Sequence, residues 1–433
     1  MALAFMNQFR NTAVILGLIA MIGLMLQKKT GKDVFAGTMK TMIGFMIFNI
    51  GSSFLGTIVT NFTTLFNTAF KIQGVTTQVE IATALALNKY GAEIAMILVL
   101  GFIMNLVFAR ITRFKAIFLT GQHFLYFAAV LGLVFIAAKT PMWLTIVASG
   151  IILGFAGAAF PSFAQKYMDE LTGGEQIAMG HFNALGYWLS GFIGQLVGGK
   201  NWQEKKAESE KKTVNMPGFF SLFRDFVFSV ALFMIVLFYI VTFAAVATGH
   251  MDAVTKMAGA DLWFVFPLIQ GLQFAAGMSV LIYGVRQFIA EITAAFVAIS
   301  EKYIPGSKPA IDCPAIFPYA PNAVILGFVG SFAGGLAGML GMVLFKSSVI
   351  MIPAAGICFF SGGTAGVFGS VRGGWKGALL GSFVVGIGLV VLPMFLYPSF
   401  AELGIKGASF PNIDYNVLGG VIAAVIRFFQ SLF

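Results

Sequence analysis

The sequence predicts an all-α polytopic membrane protein with about eleven transmembrane helices. Hydrophobic residues make up 58% of the 433 residues and charged residues only 10%, whereas a soluble chain carries about 25% charged residues. Apolar stretches also recur at the length of about 20 residues that a bilayer-spanning helix needs. A chain with so little polar surface must be solvated by lipid, which excludes a water-soluble globular protein.

Eleven apolar stretches have the length and composition of membrane spans. They cover residues 12–27, 36–59, 92–109, 117–138, 142–160, 226–247, 262–283, 323–344, 348–371, 377–396 and 417–433. Lys28, Lys29 and Lys32 follow the first stretch, and no small-residue cleavage site does. We therefore expect the first stretch to remain as a span and not to be removed as a signal peptide.

The distribution of basic residues predicts the orientation in the membrane. Lysines and arginines cluster at 28–40, 110–115, 200–212 and Arg224, and such clusters normally stay on the cytoplasmic side. Placing them inside a bacterial cytoplasmic (inner) membrane puts the N-terminus outside and the C-terminus inside. The same loops account for the net charge of +10, so we expect no nucleic-acid partner.

A polar stretch at 201–223 divides the chain and is predicted to be a cytoplasmic linker. It separates a first half, 1–200, from a second half, 224–398, which is followed by a C-terminal helix within 399–433. Both halves contain a glycine, an acidic residue six positions later (Glu80 and Asp312) and then Leu-Gly-Phe. Because each half holds an odd number of spans, five, the second would be inverted. Inverted repeats are typical of transporters that work by alternating access.

Two segments, 65–90 and 286–319, are too short or too polar for ordinary spans. Irregular backbone at membrane depth is tolerated where protein or a water-filled cavity covers it. Both segments are therefore predicted to be re-entrant hairpins whose tips meet near the midplane. The N-termini of half-helices at such tips offer free N–H groups and a positive dipole end, which suit an anionic solute.

Ionisable residues inside apolar segments are the main candidates for a solute site, because each costs several kcal/mol unless it is paired or hydrated. Glu80 and Asp312 offer acceptors for solute hydroxyls, although each could instead cap its own hairpin helix. His123 lies in TGQHFLY and His181 in MGHFNALGYW, both beside glycine and amide residues. Buried histidines often only satisfy a backbone carbonyl, so this alternative stays open.

Other polar groups are assigned no role in the site. Arg286, Glu291, Glu301 and Lys302 share a helix-like stretch and are predicted to lie at the cytoplasmic face. No Walker motif, zinc motif or Ser/His/Asp arrangement occurs in the sequence. We therefore expect no catalytic residue, no metal and no bound cofactor.

Four long motifs carry a resemblance to a known family. They are PGSKPAIDCPAIFPYAPNAVILGF (305–328), IFLTGQHFLY (117–126), MGHFNALGYW (179–188) and KTMIGFMIFNIGSSFL (40–55). These motifs resemble the ascorbate-specific enzyme IIC components of the bacterial phosphotransferase system. The resemblance covers nearly the whole chain.

The resemblance implies a fold and a mechanism. Members of the family are homodimers with eleven spans, built from an inverted five-helix repeat plus a last helix. A scaffold domain forms the dimer contact, and a core domain carries L-ascorbate across the bilayer in an elevator-type motion. The solute leaves as L-ascorbate 6-phosphate. The phosphoryl group comes from phosphoenolpyruvate through soluble IIA and IIB partners, since this chain has no evident phosphoryl-carrying nucleophile.

The resemblance also implies the residues that contact the solute. Matching motifs place the contacts at Val79, Glu80, Gln122, His123, Phe124, Leu125, Tyr126, His181, Phe182 and Asp312, with Ser52, Ser53 and Asn322 as weaker candidates. The chain departs from the family at two of these positions. Gln122 stands where many relatives have histidine, and Phe182 stands where some have glutamine.

Two other function classes remain to be distinguished. An ion-coupled secondary transporter of a small polar or anionic solute would use Glu80 or Asp312 to carry a proton or hold sodium. A membrane-embedded enzyme or receptor would need a nucleophile or a metal-binding set, and the sequence shows neither.

Overall fold

The structure, a computed structural model, describes residues 12–71, 74–174, 176–199 and 226–431. Its α-helices are α1 Thr12–Leu26, α2 Gly31–Phe70, α3 Val79–Ile111, α4 Gly121–Ala137, α5 Met142–Ala159, α6 Gln165–Thr172, α7 Ala184–Gly198, α8 Phe226–Ala247, α9 Met251–Ala258, α10 Phe266–Tyr303, α11 Pro321–Leu344, α12 Gly363–Val391, α13 Pro393–Glu402 and α14 Ile413–Gln430. The short strands are β1 Gly74–Thr76, β2 Ala116–Phe118, β3 Ala178–Met179, β4 Lys308–Ile311 and β5 Ile350–Ile352. A helical turn, Ala355–Ile357, and a π-helical turn, Cys358–Gly362, lead into α12. The predicted all-α class is confirmed, and the predicted linker at 201–223 lies outside the described residues.

Eight helical stretches of the described chain are long and apolar enough to cross a membrane. They are Gly31–Phe70, Val79–Ile111, Met142–Phe163, Val230–Ala247, Phe266–Glu291, Pro321–Leu344, Ala355–Glu402 and Ile413–Gln430, and Thr12–Leu26 and Gly121–Ala137 are shorter apolar helices. Each of the eleven predicted spans overlaps one of these ten. Two predicted spans fall on either side of a break at Gly374, where φ is 55°. The chain is a multi-pass membrane protein, and the number of spans stays a prediction.

The two longest helices, α2 and α10, pack against each other in antiparallel directions. A side chain at Gly44 would meet the backbone of Phe288, and one at Gly51 would meet the backbone of Leu281. The rings of Phe48 and Phe288 pack beside these glycines, with centroids 5.8 Å apart. Small residues let helix backbones approach closely in a membrane. The pair therefore forms a continuous wall, and α10 supplies one side of the cavity described below.

The two predicted hairpin segments contain irregular backbone between helices. In 65–90, the end of α2 is followed by β1 and by the first part of α3, which leaves helical geometry at Tyr90 (φ −127°, ψ 29°). In 286–319, the end of α10 is followed by β4 and by two 3-10 turns, Cys313–Ala315 and Phe317–Tyr319. The second segment thus has no α-helical arm after its strand. Their re-entry into the membrane stays a prediction.

The strands form two small parallel sheets, and each sheet combines both halves of the chain. In the first sheet, Gly74 of β1 lies opposite Ile350 of β5. In the second, Ala116 of β2 lies opposite Lys308 of β4. Lys308 follows Gly74 by 234 residues, and Ile350 follows Ala116 by the same 234 residues. The strand register therefore supports the predicted duplication.

This register also corrects the sequence match between the two halves. A shift of 234 residues matches Asp312 with Gln78, and not with Glu80 as their distances from a glycine suggested. Each sheet also has a third segment on the other side of its strand β4 or β1. Ala178 pairs with Ala310 in one sheet, and Thr76 bridges to Ala408 in the other. Strand pairing fixes the equivalence of positions, whereas counting from a loop glycine does not, since loops tolerate insertions.

The N-termini of α7 and α14 meet and cap each other. The side-chain oxygen of Asn183 accepts from the backbone N–H of Ile413 at 3.1 Å. The carboxylate of Asp414 accepts from the N–H groups of Ala184 and Leu185 at 2.7 and 3.0 Å. Both capping side chains are fully buried. N–H groups in the first turn of a helix have no intrahelical partner, so each helix depends on the other.

The far end of α14 lies on the opposite face from the basic segment 110–115. Gln430 donates to the carbonyl of Ala138, just after α4, at 2.8 Å. Helices α3 and α4 are antiparallel, so the end of α4 lies away from 110–115; the contacts that show this are Gly132 with Ile97 and Phe124 with Phe102. A fold with 110–115 inside therefore has its described C-terminal end outside. The predictions of basic clusters inside and a C-terminus inside are incompatible.

Candidate functional site

A small cavity lies where the first turns of three helical segments meet. Its walls are Val79 and Glu80 of α3, Gln122, His123 and Tyr126 of α4, Gly356, Ile357 and Phe360 before α12, His181, Asp312, and Ile282 and Arg286 of α10. None of the three helical N-termini has a side-chain cap, and first-turn N–H groups that lack a backbone partner can donate to a ligand. In α4, the N–H groups of Gly121 and His123 already donate to the carbonyls of Leu119 and Thr120. Its most enclosed part measures about 40 Å³, and it shares Gln122, Arg286 and Asp312 with the much wider opening described below.

Asp312 organises one wall of this cavity. Its carboxylate accepts from the backbone N–H of Cys313 at 2.8 Å and from the side-chain amide of Gln122 at 3.1 Å. Nε2 of His123 lies 3.6 Å from the same carboxylate, which is longer than a hydrogen bond. The side chain of Asp312 is 29% exposed and that of His123 is 10% exposed. The carboxylate is thus held in place and still faces the cavity.

Two histidines form the adjacent wall. The rings of His123 and His181 meet at a centroid distance of 4.0 Å and an interplanar angle of 70°. Nδ1 of His181 is 2.6 Å from the hydroxyl of Tyr187, which is also 3.6 Å from the sulfur of Cys313. The opposite nitrogen of His181, Nε2, and Nδ1 of His123 are buried without a protein partner. Buried polar atoms are normally hydrogen-bonded, so these two nitrogens are available to a solute.

The cavity is closed on one side and open on the other. Beyond Glu80 lies a void of about 10 Å³, whose apolar walls include Val230, Phe233, Met234 and Met278. On the other side, Gln122, Arg286 and Asp312 also line a wider opening of about 500 Å³, together with Ala290 and Ala294. Residues 278, 282, 286, 290 and 294 recur every four positions and form one row that winds slowly around α10. This row of side chains follows the whole route.

Comparison with known proteins decides the family. A family model described as the PTS system sugar-specific permease component, EIIC-GAT, matches residues 7–414. The chain belongs to this family. The family predicted from the sequence motifs is therefore confirmed.

A curated relative gives a more specific likeness for this EIIC-GAT family member. The ascorbate-specific PTS system EIIC component of Mycoplasma pneumoniae (strain ATCC 29342 / M129 / Subtype 1) is 28% identical over 441 aligned positions. The alignment covers 90% of the present chain. The chain spans 65% of the length of that relative.

The EIIC-GAT chain brings seven of the ten main predicted contact residues to one cavity. They are Val79, Glu80, Gln122, His123, Tyr126, His181 and Asp312. The other three, Phe124, Leu125 and Phe182, are fully buried and are not among the cavity walls. Phe182 stacks on Phe118 at 4.3 Å and packs edge-on against Phe127 at 4.6 Å. These rings support the cavity from behind because they fix the segment that carries His181.

The weaker candidates lie away from the cavity walls of this EIIC-GAT chain. Ser53 is exposed on α2 and Asn322 is half-buried at the start of α11, and neither lines the cavity. The side chain of Ser52 lies outside the described residues. Among described residues, no group of three or more His, Cys, Asp or Glu side chains could hold a metal ion.

Sequence reasoning missed five cavity residues, Ile282, Arg286, Gly356, Ile357 and Phe360, and Arg286 is the most informative of them. Arg286 was expected at the cytoplasmic face without a role, yet it lines both the cavity and its opening. The sequence did contain a signal for Arg286, because a cation inside an apolar span is a functional candidate by default. Gly356, Ile357 and Phe360 gave no such signal, since they lie in an apolar run that contributes a helix start.

Proposed function

We propose that this EIIC-GAT chain binds L-ascorbate in the described cavity and carries it inward. A separate IIB subunit, charged by IIA from phosphoenolpyruvate, converts the solute to L-ascorbate 6-phosphate. The observation that carries the proposal is the pair of buried, unpartnered histidine nitrogens beside Asp312 and three helix starts. The substrate assignment draws support from the relative described as ascorbate-specific.

The chemistry of the cavity fits an anionic solute with several hydroxyls. Asp312 and Glu80 supply acceptors for hydroxyl groups, and Gln122 supplies an amide. His181 can donate from Nε2 when its Nδ1 accepts from the hydroxyl of Tyr187. The bound solute would select this tautomer of the imidazole. The first-turn N–H groups of α3 and Ala355–Ile357, together with that of Gln122 in α4, favour negative charge. The site therefore combines acceptors for hydroxyls with donors for an oxyanion.

The open side of the cavity supports release toward the cytoplasm. Beyond Ala294, α10 continues to Tyr303 and then to Lys308, whose backbone N–H donates to the carbonyl of Lys115 at 2.8 Å. The opening thus faces the basic segment 110–115, which the charge distribution assigns to the inside. In this arrangement the inner route is open, and the apolar group around Phe233 and Met278 blocks the outer one.

The proposed transport cycle needs a stationary part and a moving part. The α2–α10 pair is a candidate for the scaffold, and the helices that carry Glu80, His123 and His181 are candidates for the core. An elevator-type displacement would move the cavity along the row of residues 278, 282, 286, 290 and 294 on α10. We also propose that the scaffold forms a homodimer and that the protein lies in the bacterial inner membrane. IIB would dock at the basic inner loops.

Uptake of labelled L-ascorbate tests the proposed function. Cells that lack their own ascorbate system would express the chain with or without the cognate IIA and IIB proteins. We expect label to accumulate as the 6-phosphate only when both partners are present. Accumulation of free ascorbate without them, abolished by an uncoupler, would instead establish an ion-coupled carrier that uses Glu80 or Asp312.

Tyr187→Phe is expected to weaken L-ascorbate binding about 3- to 10-fold, because His181 loses the hydroxyl that orients its ring. The fold should survive, since the ring of residue 187 still stacks on Phe368 at 5.3 Å. Binding is measured by titration calorimetry on the purified chain. Tyr397→Phe is the matched control, because its buried hydroxyl accepts from Gly407 at 3.1 Å away from the cavity. Equal loss of affinity in both variants would contradict a specific role for Tyr187.

A further inference from the structure

Arg286 holds a position that the proposed transport cycle does not yet explain. It lies within the apolar span Phe266–Glu291. Together with Gln122 and Asp312, it lines both the small cavity and the wide opening. A solute that leaves or enters through the opening must pass this side chain.

The guanidinium group makes no close ion pair with a carboxylate among the residues that the structure describes, although Asp312 and Glu80 line the same cavity. The described ion pairs involve His123, Lys308 and Arg372, and none includes Arg286. The nearest acidic residue on the same helix, Glu291, lies beside Gly37 of α2. The side chain of Arg286 is exposed to the opening, so its charge is hydrated there and accessible to a solute. An anion in the cavity can replace this water and form a charge-assisted contact with the guanidinium group.

The charge balance of the cavity points the same way. Its walls carry two carboxyl groups, Glu80 and Asp312, and both would repel an anionic solute. Among the described residues that line the cavity, Arg286 is the one permanent cation. A planar guanidinium suits a delocalised oxyanion, because its donors lie in one plane and it stays charged.

We infer that Arg286 selects for the negative charge of the solute, while Asp312 and Glu80 accept from its hydroxyl groups. This inference deepens the proposed function and rests on it. It assigns discrimination between charged and neutral solutes to a residue on the α10 wall, separate from the carboxylates that hold the hydroxyls. Neutral lactones with the same ring size and the same side chain would then be rejected mainly because they cannot neutralise Arg286.

The test compares two ligands on purified full-length protein: L-ascorbate and the neutral L-galactono-1,4-lactone. Dissociation constants would be measured by titration for the wild type, Arg286→Gln and Arg286→Lys. Arg427→Gln serves as the matched control, because Arg427 lies near the end of α14, is not among the cavity walls and approaches Ser399. Circular dichroism and size exclusion would establish that each variant is folded.

Arg286→Gln is expected to weaken ascorbate binding about 10- to 100-fold, as loss of a charge-assisted contact predicts. Lactone binding should change less than about twofold, and Arg286→Lys should retain part of the ascorbate affinity. Ascorbate binding that is unchanged in Arg286→Gln, or an equal loss for both ligands, overturns the inference. If the lactone binds too weakly to measure, the Lys variant decides: equal ascorbate affinities for Lys and Gln overturn it. Failure of the wild type to bind ascorbate rejects the proposed substrate, and the inference with it.

Discussion

Asp312→Ala is expected to reduce L-ascorbate uptake at least about 100-fold. The alanine removes the acceptor of the Gln122 amide, the acceptor of the Cys313 N–H and the partner of His123 in one change. A charge-assisted hydrogen bond is worth about 1.5–3 kcal/mol, and the solute would lose its own acceptor as well. Uptake of labelled ascorbate by cells with the IIA and IIB partners measures the effect.

Two further variants separate a site effect from a folding effect. Asp312→Asn keeps the size of the side chain and one acceptor oxygen, so it should retain more uptake than Asp312→Ala. Asp169→Ala removes a carboxylate that is 44% exposed and lies 4.0 Å from Lys308, and it should transport normally. Uptake by a folded Asp312→Ala protein within threefold of wild type would place the solute elsewhere.

Asp414→Ala is expected to destabilise the protein by about 2–6 kcal/mol, because it leaves two buried N–H donors unsatisfied and each costs about 1–3 kcal/mol. Two N–H groups at the start of α7 would lose their acceptor in a region where water cannot replace it. The adjacent Tyr415 donates to the carbonyl of His123 at 3.3 Å, so the site should loosen as well. Thermal unfolding of the purified protein, followed by near-ultraviolet circular dichroism, measures the loss.

The control for Asp414 is another aspartate in the first turn of a helix. Asp252 lies in the first turn of α9 and is exposed, so Asp252→Ala should leave the unfolding temperature nearly unchanged. Asp414→Asn should fall between alanine and wild type, since its amide keeps one acceptor oxygen. Similar unfolding temperatures for Asp414→Ala and Asp252→Ala would show that the reciprocal capping contributes little to stability.

The sequence predicted the spans and most of the polar site, because both depend on local composition. Apolar length decides where a helix can cross lipid, and a rare ionisable residue in such a segment needs a partner. Gln122 and Asp312 lie 190 positions apart, yet their side chains share a hydrogen bond. His123 and His181 likewise meet ring to ring. Family motifs had named all four.

The errors arise where tertiary packing decides the outcome. Phe124 and Phe182 lie next to site residues in the chain, but their rings pack against other aromatic residues. Arg286 was assigned to a surface because the end of its span was placed too early; α10 continues to Tyr303. The position of the C-terminus was counted from the number of spans. That count assumes that each helix starts at a membrane face, whereas α14 begins inside the protein, beside α7.

The exchange of strands between the halves has a consequence for biosynthesis. Strand β1 cannot pair until β5 has been synthesised, and β2 cannot pair until β4 has been. The start of α7 cannot be capped until Asp414 has been synthesised. At a synthesis rate of about 5–20 residues per second, the roughly 230 residues between Ala184 and Asp414 take about 10–45 s to produce. Until then the nascent chain has its helices in the membrane but lacks a finished cavity. A ribosome that stops early would therefore leave a product that cannot assemble the solute cavity.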